Sequence, residues 1–209
     1  MLNYISEIKK VGYDKQLNEI TNKLPSNKQI CETILEKLNN KTVTIKEDDG
    51  KEASLYIVMN NSILIANIKN SFTRVQTIAH ECLHSVQNKK IVWFNFIFSN
   101  IYIFYFLTIT ILSLFNKTKN NTVLGLILII AGFIFYVVRS YLEMDAMIKA
   151  RYLAEEYFKD NENILTNGEI QLILKKYDYI NDIGIKLTLL LLAGKCLIKL
   201  LIFTIACLI

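Results

Sequence analysis

Three long apolar stretches constrain this chain more than any other feature of its sequence. Two of them, Trp93 to Phe115 and Thr122 to Val138, are each about long enough to cross the hydrocarbon core of a bilayer as a helix. A short polar loop joins them, so together they predict a transmembrane hairpin. The third stretch, Ile183 to Ile209, predicts a further span. Its Lys195 and Lys199 also allow the alternative of a helix that lies partly in the membrane plane.

Charge indicates on which side of the membrane the polar parts lie. The sequence is 52% apolar with a net charge of +5, and basic residues flank the open end of the predicted hairpin at Lys89, Lys90 and Arg139. The stretch Met1 to Lys10 lacks the apolar segment of a secretory signal peptide. The abundance of Lys, Asn and Ile is typical of an AT-rich bacterial genome. We therefore expect an integral protein of a bacterial cell membrane with a cytoplasmic site, in contact with lipid and not with nucleic acid.

The polar parts predict a mostly helical α+β fold with one small sheet. Residues that alternate in polarity predict three strands of an antiparallel sheet, at 42–46, 54–59 and 62–66. The sheet either offers its edge to an extended peptide or only covers the helix that follows it. The chain then divides into five predicted regions: a helical region at 1–41, the sheet and a metal-binding helix at 42–90, the transmembrane hairpin at 91–138, cytoplasmic helices at 139–182, and a last span at 183–209.

The helix predicted after the sheet carries the sequence His80-Glu81-Cys82-Leu83-His84, which has the form H-E-x-x-H. Residues four apart lie on one face of a helix, so both imidazoles point the same way and can share one Zn²⁺. Glu81 is then placed to accept a proton from a metal-bound water. The chain contains only these two histidines, which argues against an exposed helix turn with incidental histidines. Cys82 faces away from both and is expected in the core.

A catalytic zinc ion with two histidine ligands needs a third protein ligand. The hairpin returns the chain to the side of the membrane that holds the motif, where the first acids are Glu143 and Asp145. Glu143 begins the sequence Glu-Met-Asp-Ala, whose small Ala146 allows two helices to approach closely, so we expect Glu143 to be the ligand. Asp145 is then expected to orient a histidine, with the alternative that it binds the metal itself. A solvated helix face is the alternative for both acids.

Three further residues are candidates for supporting roles. Gln87, one turn after His84, is expected to form a hydrogen bond in the wall of the site, although a surface glutamine fits equally well. Tyr141 and Tyr152 are candidates, by proximity along the chain alone, for stabilising the oxyanion that forms during hydrolysis. Either tyrosine could instead be a packing residue.

The order of these motifs resembles that of the YugP-like neutral membrane zinc metallopeptidases of bacteria. The resemblance covers about residues 54–209 and rests on H-E-x-x-H, Gln87, two spans, E-x-x-A and a last apolar helix. The chain is more distantly similar to other gluzincins, including the ImmA/IrrE type, in which a sheet precedes the motif. Leu83 departs from the pattern, because many zincins have glycine there. The resemblance implies a zincin-like fold, one Zn²⁺ per chain, and a site made of His80, His84, Glu143 and the catalytic Glu81.

These features together predict a membrane-embedded zinc metallopeptidase that hydrolyses a peptide or protein substrate, with Glu81 as the general base. One alternative is a zinc-binding membrane scaffold or regulatory protein that cuts nothing. Another is a transport or immunity protein in which Lys195 and Lys199 line a path. Against this last alternative, the apolar segments contain no acidic residue that would offer these lysines a counter-charge.

Overall fold

The computed structural model describes residues 14–51 and 53–208. The prediction that Met1 to Lys10 is no signal peptide lies outside these residues, as does the part of the predicted region 1–41 that precedes Asp14. The predicted fold class is confirmed, because the chain is mostly helical, with one small sheet ahead of the motif helix and three long apolar helices. In chain order the elements are α1 (Lys15–Thr21), α2 (Asn27–Lys37), β1 (Thr44–Asp48), β2 (Leu55–Ile57), β3 (Ser62–Ala66), α3 (Arg74–Val86), α4 (Lys89–Leu114), α5 (Asn121–Lys159) and α6 (Asn167–Ala206).

The described residues form two compact units. The first comprises the chain up to Gln87 together with residues 144–187. The second comprises residues 88–143 together with the chain from Thr188 onward. Two helices, α5 and α6, continue without interruption from one unit into the other.

The sheet of the first unit is mixed, so the prediction of a wholly antiparallel sheet is wrong. The strand order is β1-β3-β2, in which β3 pairs antiparallel with β2 and parallel with β1. The most apolar strand, β3, takes the centre, and its Ile63 and Ile65 lie in the core. The charged β1 lies at an edge, where Lys46 and Glu47 are exposed. Burial of β3 between two partners therefore outweighs the local turn that would pair β1 with β2 as a hairpin.

Helix α3, which carries the H-E-x-x-H motif, is anchored at both ends within the first unit. At its start, the N–H of Phe72 donates to the side chain of Asn18, and the Phe72 carbonyl accepts from the hydroxyl of Tyr177 at 2.6 Å. Near its end, the side chain of Asn40 donates to the hydroxyl and the carbonyl of Ser85. Between these anchors the inward face of α3 is completely buried, at Val75, Ile78, Ala79 and Cys82.

The part of α5 in the first unit packs through small residues. Ala146, Ala150 and Ala154 recur every four residues and are all buried in the core of that unit. Because residues four apart lie on one face of a helix, these alanines form one smooth stripe along α5. The stripe supports the expectation that Ala146 lets this helix pack closely.

The second unit consists of apolar helices. Helices α4, α5 and α6 are each long enough and apolar enough to cross a membrane. Tyr102 and Phe203 are among the residues buried in the small core between them. A Cβ at Gly132 would lie 2.8 Å from the hydroxyl oxygen of Tyr102, so a larger residue at this position would force the Tyr102 side chain to shift.

Arg74, at the start of α3, is a buried guanidinium that binds main-chain carbonyls. It is 1% exposed and donates to the carbonyls of Thr21, Leu24 and Pro25 and to the side chain of Asn27. Burial lowers the pKa of Arg74 from its usual value, yet a guanidinium remains protonated near neutral pH. Arg74 therefore connects the loop between α1 and α2 to the motif helix.

Replacing Arg74 by Met is expected to destabilise the protein by about 3 kcal/mol or more. At least two buried carbonyls would lose a donor, and each such loss costs about 1–3 kcal/mol. Arg74→Lys should recover only part of the loss, because an ammonium lacks the planar fork that reaches several acceptors. The measurement is denaturant unfolding of the purified protein in detergent, with Lys15→Met, whose side chain is 91% exposed, as the matched control. Equal stability of Arg74→Met and the control would contradict this role.

Candidate metal centre

His80 and His84 lie one turn apart on α3, with their rings nearly perpendicular and the ring centres 4.6 Å apart. Their Nε2 atoms are 3.0 Å apart, and both side chains are half-buried. Two ligands that bind a tetrahedral zinc ion at about 2.0–2.1 Å lie about 3.3 Å from each other. The observed separation is therefore close to the one that a shared ion requires. Two ring nitrogens at this distance need a cation or a proton between them, since two lone pairs would repel each other.

Glu143 completes a group of three possible ligands. One ligand atom from each of His80, His84 and Glu143 lies within 4.8 Å of the other two. Glu143 is the residue of α5 at the division between the two units, directly before Met144 of the first. Its Oε1 is 2.6 Å from Nη2 of Arg139, one turn earlier in the same helix. Because a carboxylate has two oxygens, it can accept from Arg139 and also bind a cation. The ion pair can then orient the carboxylate toward that cation.

Gln87 connects His84 to Asp145. Nδ1 of His84 lies 2.9 Å from Oε1 of Gln87, and Nε2 of Gln87 donates to Oδ2 of Asp145 at 3.1 Å. An ionised carboxylate only accepts hydrogen bonds, so Gln87 must direct its NH₂ group to Asp145 and its carbonyl oxygen to His84. The oxygen in turn requires a proton on Nδ1 of His84. Nε2 of His84, which faces His80, is then the nitrogen whose lone pair can bind a metal.

Asp145 is held in its ionised form within this network. Partial burial raises the pKa of its carboxyl, but hydrogen bonds from Lys149 and Gln87 and the charge of Lys149 lower it by more. The net pKa lies below the usual value for an aspartate, so the group accepts hydrogen bonds at neutral pH. Lys149 approaches Oδ1 to 2.5 Å from one turn further along α5. Asp145 thus acts on His84 through Gln87, whereas Glu143 is the acid that lies with the two histidines.

Glu81 points to the sheet. It is 8% exposed, and its Oε2 accepts a hydrogen bond of 2.6 Å from the main-chain N–H of Tyr56. Tyr56 is the middle residue of β2, which is an edge strand. A buried carboxylate needs such a donor, because burial without hydrogen bonds is costly. The N–H of Tyr56 therefore supplies a hydrogen-bond donor to the buried carboxylate of Glu81.

The remaining predicted residues occupy simpler surroundings. Tyr141 and Tyr152 on α5 are 57% and 61% exposed, and the guanidinium of Arg151 lies 5.5 Å from the ring centre of Tyr152. Their predicted role in oxyanion stabilisation stays a prediction. Cys82 is fully buried, with its Sγ 3.6 Å from that of Cys31, so its expected place in the core is confirmed. Burial raises the pKa of the Cys82 thiol well above its usual value, which makes it a poor nucleophile.

Three groups of the site were not predicted from the sequence. Arg139 precedes Glu143 by four residues and Lys149 follows Asp145 by four, a spacing that favours ion pairs on a helix and could have identified both. The third group is the N–H of Tyr56. Every residue except proline has a main-chain N–H, so the sequence carries no signal for this contact.

Removing one ligand is expected to remove the metal. Purified wild-type protein should contain one equivalent of a divalent transition metal by elemental analysis, and His84→Ala should contain none. Glu143→Ala should bind the metal weakly, because one of three protein ligands is lost. Glu156→Gln, an exposed position on α5, is the matched control. A wild-type protein without metal, or a His84→Ala variant that retains it, would contradict the site.

Replacing Gln87 by Leu should weaken metal binding about 10–100-fold without abolishing it, because His84 would lose the partner that fixes its tautomer. The affinity is measured by competition with a chelator. Gln76→Leu, at a half-buried glutamine of α3, serves as the control. An unchanged affinity in Gln87→Leu would show that the hydrogen bond to His84 does not orient a ligand.

Comparison with known proteins identifies no relative of this chain. No protein-family model matches it, no curated protein matches it, and no solved structure matches it.

Proposed function

We propose that this protein is a membrane-embedded zinc metallopeptidase of the gluzincin type, related to the YugP-like enzymes. The observation that carries the proposal is the convergence of His80, His84 and Glu143 within 4.8 Å, next in sequence to the buried carboxylate of Glu81. Two imidazoles and one carboxylate are a donor set that suits zinc and leaves a fourth position for water. One Zn²⁺ per chain is expected.

Each residue of the site has a distinct role in peptide hydrolysis. Glu81 accepts a proton from the attacking water and passes it to the leaving amine, which restores the carboxylate for the next cycle. Gln87 and Asp145 keep His84 in the tautomer that binds through Nε2. When bound, Zn²⁺ would lower the pKa of its water to about 7 and polarise the scissile carbonyl. An acid-base pair of this kind contributes about 10²–10⁴-fold to rate.

An extended peptide is the substrate form that suits the sheet beside the motif helix. Leu55 and Ile57 of β2 pair with β3 on either side of the Tyr56–Ile63 pair. The N–H of Tyr56 donates to Glu81 instead of to β3. In an antiparallel pair the N–H and C=O of one residue point to the same side, so the carbonyl of Tyr56 also faces the outer edge. A peptide strand that donates to this carbonyl would lie directly beside the general base.

The apolar helices embed the protein in a membrane in this proposal. Helices α4, α5 and α6 would cross the bilayer of a bacterial cell, and Lys89, Lys90 and Arg139 would mark the cytoplasmic side by the positive-inside rule. Helix α3 ends at Val86 and α4 begins at Lys89, so the motif precedes the first span by only a few residues. A substrate at or near the membrane surface fits this arrangement.

Glu81→Gln is the variant that tests the peptidase. We expect it to retain one bound metal but to lose hydrolysis of fluorescently labelled β-casein by at least about 10²-fold, because an amide cannot accept the proton. The assay uses full-length protein in detergent micelles, with Glu156→Gln as the control. A wild-type protein that binds metal but cleaves neither casein nor a quenched-peptide library would favour a zinc-binding scaffold and overturn the peptidase.

A further inference from the structure

The hydrogen bond from the Tyr56 N–H to Glu81 joins the edge of the sheet to the proposed general base. Glu81 lies on α3 and Tyr56 lies on β2, twenty-five residues apart in the chain. The bond is 2.6 Å long and ends on a carboxylate that is only 8% exposed. A short, charge-assisted bond with little competition from water restricts the rotation of the side chain that accepts it.

The neighbouring residues of β2 do not serve the same purpose. The strand is three residues long, and its register places Leu55 opposite Leu64, Tyr56 opposite Ile63 and Ile57 opposite Ser62. Because N–H groups alternate in direction along a strand, those of Leu55 and Ile57 face β3 while that of Tyr56 faces outward. Tyr56 is thus the residue of β2 whose N–H can reach α3.

We propose that the main-chain N–H of Tyr56 positions the Glu81 carboxylate for proton transfer, an inference that rests on the peptidase proposed above. The bond holds Oε2 in place. Because a carboxylate is planar and rigid, the direction of Oε1 is then restricted as well. A general base must lie within about 2.6–3.2 Å of the heavy atom that carries the proton it takes, and rotation of an untethered glutamate would lose this alignment. The N–H therefore acts through Glu81 as a positioning group.

The same bond limits how a substrate binds to the edge of the sheet. Since Glu81 takes the N–H of Tyr56, the strand offers a peptide only the carbonyl of Tyr56 at its outer edge. A substrate then makes one main-chain hydrogen bond to β2 and not a full ladder. Side-chain contacts beyond the strand must supply most of the specificity.

The first test is amide hydrogen exchange, which does not require activity. Selective ¹⁵N labelling of tyrosine gives signals from eleven residues, and the signal lost in Tyr56→Phe identifies Tyr56. Glu81→Ala should increase the exchange rate of the Tyr56 amide at least tenfold, because an outward N–H on an edge strand is otherwise open to water. Glu81→Gln keeps an acceptor oxygen and should retain most of the protection. Equal exchange in Glu81→Ala and wild type would overturn the contact.

The second test removes the N–H alone. Replacing Tyr56 by its α-hydroxy acid changes one amide to an ester and keeps the side chain. We expect kcat on labelled β-casein to fall at least tenfold, with KM within twofold of wild type and one metal still bound. The matched control is the ester at Leu55, whose N–H faces β3, which should lower stability and leave kcat within twofold.

The outcomes separate this inference from the function on which it rests. A wild-type protein that cleaves casein together with a Tyr56 ester of unchanged kcat would overturn the positioning role alone. A wild-type protein that cleaves no probe would overturn the peptidase and the inference with it. A tenfold loss in kcat for both esters would assign the effect to strand stability and also overturn the positioning role.

Discussion

The burial of one face of α3 is the constraint on which the site depends. Because Ile78, Ala79 and Cys82 are completely enclosed, the helix has only one way to lie against the sheet and its neighbouring helices. That orientation turns His80 and His84 away from the core and holds their Nε2 atoms 3.0 Å apart. A close-packed core resists the small rotations that would separate the two rings. Packing of the core thus keeps the two imidazoles together.

Charge balance in the site follows from helical spacing. The candidate site has three carboxylates, those of Glu81, Glu143 and Asp145, and each is matched by a donor. Arg139 pairs with Glu143, Lys149 pairs with Asp145, and a main-chain N–H binds Glu81. Both ion pairs join residues four apart on α5, so the basic partners keep their positions through the helix that carries the acids.

Helix α5 carries both an apolar segment long enough to span a bilayer and two acids of the candidate site. It begins as an apolar helix long enough to span a bilayer and continues without a break through Glu143 and Asp145 into the alanine stripe of the first unit. An unbroken helix fixes the angle and spacing between consecutive turns. Glu143 lies three residues before Ala146 on the same helix, and Ala146 is buried in the core of the first unit.

The sequence by itself determined what depends on short-range spacing. The period of the helix and the length of the apolar runs predict that His80 and His84 share one face, that three apolar helices occur, and that the third acid is Glu143 or, as the alternative, Asp145. The tertiary structure places Glu143 with the two histidines. Only the tertiary structure decided the parallel pairing of β1 with β3, the hydrogen bond from Gln87 to Asp145 and the contact of the Tyr56 N–H with Glu81. Strand order depends on which residues gain most from burial. Main-chain donors are alike in every residue except proline. Local spacing therefore encodes neither the strand order nor a main-chain contact.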